Sequence, residues 1–215
     1  MKEKHYNKEQ LLRVYDDAVK RGSRALVDRF GRDRAEAIQD ESRVEYEALI
    51  PEIPYIGPKT PMLVFILPAS WYLAVYRVLR KKGLGVEEAG RTIYHMNEAE
   101  LKAIPGIGRR LIGYLWFSGW FAKKIKRQAE ESQRREYPGN YVFSFVEGDA
   151  RTFDYGVDYT ECAACKFLRN QGAPELLPVI CACDQLAGDL LHWGLTRTKT
   201  LAEGADKCDF RFKRG

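Results

Sequence analysis

Histidine is scarce and scattered. The three histidines, His5, His95 and His192, stand far apart in 215 residues. None sits at a spacing such as H-E-x-x-H, which excludes the helical zinc site of that type. The first ten residues, Met1 to Gln10, are polar and charged, with no apolar run and no small-residue cleavage pattern. They carry no sign of a secretory leader, so a cytoplasmic location is expected. Long hydrophobic runs are also lacking. The most apolar stretch, Met62 to Tyr76, is interrupted by Pro68 and closed by Arg77, short of the ~20 residues a bilayer span requires. The expectation is a core helix entered after Pro68 and ended near Gly83, with no membrane partner.

A disulfide framework is lacking too. The five cysteines are an odd number without an export signal, which points to free thiols in a reducing compartment. All five, Cys162, Cys165, Cys181, Cys183 and Cys208, fall in the last third of the chain. Their spacing approaches that of a zinc or iron-sulfur site. Both close pairs lie in helical patterns, however, and residues two apart on a helix point about 200° apart, so no metal and no cofactor are expected.

What is present is a globular composition, with 45% hydrophobic and 30% charged residues and a net charge of +5. That balance suits an anionic partner, a carboxylate metabolite or nucleic acid. The local excess at Lys123, Lys124, Lys126, Arg127, Arg134 and Arg135 is interspersed with Glu130, Glu131 and Glu136, which reads as a solvated helix face.

Apolar residues recur at helical spacing over 8–30 and, after Gly31, over 34–49. A breaker-rich loop follows at Pro51, Pro54, Gly57, Pro58 and Pro61. The core helix and a short helix from Val86 to His95 complete a mainly helical part, 1–136. Within it, LKAIPGIGRRL (101–111) has the form of a helix-turn-helix connection, and the apolar run Tyr114 to Phe121 is suited to burial. The period changes at Tyr141. YVFSFVEGD and TFDYGVDY form two strands joined by a turn at Glu147 to Ala150, with Phe153, Tyr155, Val157 and Tyr159 on one face. Helices over Glu161 to Asn170 and Glu175 to Leu191 come next, separated by Gly172 and Pro174. LTRTKTLA and CDFRFK then form a second strand pair about the turn Glu203 to Lys207, with Cys208, Phe210 and Phe212 on one face. The order predicts an α+β fold: a helical N-terminal part, then, over 137–215, an antiparallel sheet with helices packed on one face. The two parts are expected to form one continuous unit.

From Phe153 onward several landmarks occur in fixed order: Cys162 before Gly172, Pro174-Glu175-Leu176, the C-x-x-D of Cys181 and Asp184, and RTKTLAEG leading into Cys208-Asp209-Phe210. This region resembles the signature of the L-2-amino-thiazoline-4-carboxylic acid hydrolase family, and IPYIG and YPGNYVFSFVEGD upstream are similar more loosely. The resemblance implies hydrolytic opening of a cyclic isothiourea, 2-aminothiazoline-4-carboxylate, to a carbamoyl-cysteine product. The strand pair around TLAEGADKCDF also looks like the end of a vinyl-reductase type of small-molecule-binding domain.

Such a reaction needs a nucleophile, a proton-handling group and a cation for the carboxylate. Cys181 and Asp184, three apart on one helix, share a face with Leu177 and Gly188. Either Cys181 attacks as a thiolate, or Asp184 activates water while Cys181 lines the pocket. Cys208 alternates inward on its strand and completes the catalytic candidates. Arg197 is the candidate carboxylate clamp, with Asp206 and Cys162 as further substrate-binding candidates. The expected partner is a small-molecule carboxylate, not nucleic acid. A non-catalytic ligand-binding or sensor module is the alternative, and DNA binding through the IPGIG turn a weaker one.

Overall fold

Asn7 opens the first helix, its side-chain oxygen accepting the Gln10 N–H at 2.9 Å, as an N-cap does. The structure, a computed structural model, describes residues 6–57, 60–149 and 151–214. Pro58 of the breaker-rich loop, Ala150 of the strand turn and the first five residues lie outside the described residues.

Helix α1 (Lys8–Phe30) ends at Gly31, whose φ of 79° only glycine adopts readily. Helix α2 (Arg32–Leu49) runs back antiparallel, pairing Glu47 with Lys8 and Arg43 with Asp16. Helix α3 (Leu63–Lys81) packs on α2 and helix α4 (Val86–Lys102) on α1. Among the described residues α3 is the one helix long and apolar enough to cross a membrane, and most of it is buried inside the protein. Ile66, Trp71, Leu73, Val75 and Leu79 all sit in the core, each contributing about 1.5–3 kcal/mol by leaving water. The helix starts at Leu63, before the expected entry after Pro68, and carries Pro68 within it. Proline costs one backbone bond, to the Val64 carbonyl, near the helix start, where Val64 is exposed. Helix α4 extends to Lys102, beyond the expected His95, because Met96 and Asn97 are buried.

Helices α5 (Gly106–Trp116) and α6 (Gly119–Ser132) form a hairpin. Ser118 caps α6 by accepting the Phe121 N–H at 3.2 Å. Burial of the run Tyr114 to Phe121 is not what the structure shows: Trp116 turns inward, while Tyr114, Leu115 and Trp120 are exposed.

The C-terminal part begins with β1 (Val142–Glu147) and β2 (Tyr155–Glu161), followed by α7 (Ala163–Asn170), α8 (Leu177–Leu190), β3 (Leu195–Thr196) and β4 (Cys208–Phe212). The four strands form an antiparallel sheet in the order β1-β2-β4-β3. The fold is α+β, helical first and sheet-bearing last. Glu161 closes β2 and does not open α7. Strand β3 has two residues where eight were expected. Beyond it Asp209 accepts the Thr198 and Lys199 N–H groups at 2.9 and 2.8 Å, replacing ladder bonds with side-chain bonds.

Alternation along β2 and β4 is as expected, with Tyr155, Val157, Cys208, Phe210 and Phe212 buried; Phe153, expected on the same face, precedes β2, and its ring lies 5.4 Å from the guanidinium of Arg211, on the other face. On the opposite face Asp158 pairs with Lys207 and Arg211. One apolar core runs from α1 through β4.

Candidate active site

The buried face of the sheet does not close fully against the helices. A cavity of about 70 Å³ remains, room for several ordered waters or a small ligand. Its floor is Tyr155, Val157, Tyr159, Cys208, Phe210 and Phe212 from the sheet. Helix α8 supplies Leu177, Ile180, Cys181 and Asp184, α7 its cap Cys162, and the α5–α6 hairpin Trp116 and Ile125.

The C-x-x-D spacing works as its helical periodicity predicts, turning Cys181 and Asp184 to the same cavity. Gly188, one turn later, sets how close the next segment comes: a Cβ there would lie 2.6 Å from that of Leu195. This contact brings β3 against α8 and carries Arg197 back over the cavity. Its Nη2 donates to the Cys181 carbonyl at 3.2 Å, and its guanidinium lies 5.2 Å from the centroid of Phe210. The Nη1 atom is 3.7 Å from Asp184 Oδ2, an ion-pair distance too long for a hydrogen bond. Nη1 is buried and has no hydrogen-bond partner among the described residues.

Asp184 is therefore a carboxylate beside a cation, but not bonded to it. Burial pushes its pKa up to about 7, with Arg197 pulling the other way. Its side chain keeps 27% accessibility, and it lines the cavity.

The thiols behave differently. Burial, reinforced by the Asp184 charge, pushes Cys181 up to about 12, so it is a neutral thiol near pH 7. Cys208 is raised by burial, and its sulfur accepts the Leu201 N–H at 3.1 Å. Cys162 caps α7, its sulfur accepting the Cys165 N–H at 3.5 Å. Its own pKa is raised by a hydrogen bond with the Cys165 thiol and by burial. All five cysteines are free.

The structure thus brings together Cys162, Cys181, Asp184, Arg197 and Cys208. It does not bring Asp206, which lies on the surface, paired with Lys199 at 2.7 Å, and takes no part in the cavity. Its turn position aims the side chain at solvent, which removes it from the substrate-binding candidates. His192 is exposed, with a positive φ of 59° just beyond the end of α8.

Sequence reasoning missed the aromatic donors. Trp116 and Trp193 stack with centroids 4.0 Å apart. Their indole N–H groups and the Tyr141 hydroxyl are buried without partners, as is Arg197 Nη1. Orphaned buried donors are costly, and all four belong to residues that line one cavity. The alternation in β2 pointed to Tyr155 and Tyr159, but no local signal pointed to Trp116, which arrives from a distant helix.

A search of curated proteins finds no match. The model of the family described as L-2-amino-thiazoline-4-carboxylic acid hydrolase matches residues 65–212. This span runs from the first turn of α3 through β4 and includes every cavity residue named above. On that match, over about two thirds of its length, the chain belongs to the L-2-amino-thiazoline-4-carboxylic acid hydrolase family.

Proposed function

We propose that this protein is a cytoplasmic hydrolase that opens a small cyclic amidine or isothiourea bearing a carboxylate, of which 2-aminothiazoline-4-carboxylate is the type. The observation that carries the reading is Arg197 Nη1, a buried guanidinium donor without a partner, 3.7 Å from a carboxylate held near neutral pKa. A substrate carboxylate satisfies that donor in a charge-assisted bond. Trp116 and Trp193 provide a flat wall for the ring and N–H donors for its heteroatoms. The five free thiols fit a reducing compartment.

Asp184 in its ionised form takes a proton from water, whose oxygen attacks the carbon between nitrogen and sulfur. Asp184 passes that proton to the ring nitrogen as its double bond to this carbon becomes single; it then takes the proton of the added hydroxyl, whose oxygen becomes the carbamoyl oxygen, and gives it to the nitrogen or sulfur that departs as one ring bond breaks. A pKa of about 7 suits these transfers, since neither protonation state is rare at neutral pH. Of the two mechanisms open from the sequence, the neutral thiol of Cys181 favours activated water over thiolate attack.

The test is incubation of the purified protein with 2-aminothiazoline-4-carboxylate, following carbamoyl-cysteine by mass spectrometry. Product is expected from the wild type. Saturable quenching of tryptophan fluorescence without product would identify a binding module instead, and neither signal from folded protein would reject this substrate class.

A further inference from the structure

The hairpin that closes the cavity has a second face. On α5, Ile107, Leu111, Tyr114 and Leu115 follow the i, i+4, i+7, i+8 pattern of a single stripe. Trp116 and Gly113 point the other way. Trp116 lines the cavity, and a Cβ on Gly113 would lie 2.5 Å from the Leu191 carbonyl oxygen, so this side of α5 is seated on the protein. The stripe itself is bare: with Trp120 at the start of α6, its side chains are between 51 and 82% exposed. Five large apolar side chains on one small hairpin are more than isolated surface residues.

The charge of the hairpin identifies what covers them. From Ala103 to Ala129 there is no acidic residue, while Arg109, Arg110, Lys123, Lys124, Lys126 and Arg127 are all basic. Helical spacing puts Lys123, Lys124 and Arg127 on the same side of α6 as Trp120, and Lys124 Nζ lies 5.2 Å from the Trp120 ring. Lys126 and Arg127 are partly engaged with Glu147 and Glu131. Arg109, Arg110 and Lys123 form no ion pair among the described residues. Asp189 is a carboxylate that shares a surface groove with Arg110 and Tyr114.

We propose that the outer face of the α5–α6 hairpin docks on an anionic lipid bilayer, lying in the interface without spanning it. Tryptophan, tyrosine and leucine beside lysines with apolar stems are the side chains that partition into the headgroup boundary. A second copy of the chain fits poorly, because a two-fold contact would oppose like charges. Duplex phosphates would satisfy the cations and leave the apolar stripe in water. The expectation of no membrane partner rested on the length of the Met62–Tyr76 stretch and so concerned spanning; the run Tyr114 to Phe121, expected to be buried, leaves Tyr114, Leu115 and Trp120 exposed.

The test is cosedimentation of the full chain with phosphatidylcholine vesicles, with and without phosphatidylserine, while following tryptophan emission. Binding is expected only with the anionic lipid, weakened by salt, with a blue shift that the Trp120→Phe variant loses. Lys123→Gln with Lys124→Gln should weaken partition by about thirtyfold, at about 1 kcal/mol per cation. The exposed Leu115→Ser should weaken it by about tenfold. Absence of binding to anionic vesicles would overturn the proposal. So would a dimer that Leu115→Ser dissociates, or salt-dependent binding to duplex DNA, in protein that ignores vesicles.

Discussion

Two half-buried carboxylates, Glu100 in α4 and Asp184 in α8, look alike in isolation and differ in company. Burial raises the pKa of both. Glu100 accepts hydrogen bonds from the Tyr72 hydroxyl at 2.8 Å and from Arg21 at 3.1 Å, and Tyr72 accepts in turn from Asn97. Both of its oxygens have donors, and it lines none of the described cavities. Asp184 receives no hydrogen bond among the described residues, has its cation at 3.7 Å, and faces open space. A buried charge satisfied by its own protein holds the fold together; one left unsatisfied beside a cavity is set for a ligand.

The sharpest break of that comparison is a pair of neutral replacements. Asp184→Asn should lower turnover by about 10²–10⁴, the usual worth of a general base, with folding retained. Glu100→Gln should leave turnover near wild type and cost about 1–3 kcal/mol in denaturant unfolding. The reverse pattern would place the chemistry at the wrong carboxylate.

Next is the dependence of folding on pH. With its folded pKa near 7, Asp184 holds a proton that the unfolded chain has already released above pH 4. Stability from this group is full at low pH and falls as pH rises from about 4 to 7, by at most roughly 4 kcal/mol. Glu100 adds a slope of the same sign, so Asp184→Asn should remove only part of it. Unchanged pH dependence in that variant would mean an ordinary pKa for Asp184.

The rate should rise with pH through a midpoint of about 7 as Asp184 ionises. Because Arg197 holds that pKa down, Arg197→Met should move the midpoint to higher pH and raise KM for a carboxylate substrate. A midpoint that stays in place would separate the two groups. The smallest effect is expected at Cys181, where a thiol that is neutral near pH 7 has no nucleophilic role to lose. Cys181→Ser should retain turnover within about tenfold, and complete loss with normal folding would restore thiolate attack.

Much of the site was legible because its signals are short-range. The C-x-x-D pair falls on one helical face wherever the helix goes, and Cys208, Phe210 and Phe212 alternate inward by strand geometry alone. The turn residue Asp206 shows the limit. It neighbours Cys208 in sequence, yet a tight turn sends the two side chains in opposite directions, one to the core and one to Lys199. Strand β3 stops short because Asp209 competes for its N–H groups, a choice visible only once the strands meet.

By itself, then, the sequence determined the helical and extended periods, the change between them near Tyr141, the family landmarks and the side-by-side thiol and carboxylate. Each depends on residues a few positions apart. Tertiary structure alone decided that Arg197 reaches Asp184 without bonding to it, that Trp116 crosses from α5 to stack on Trp193, and that the rest of α5 stays bare. Those outcomes depend on which surfaces meet after the chain has folded back on itself, and no local pattern of apolar and polar residues encodes that.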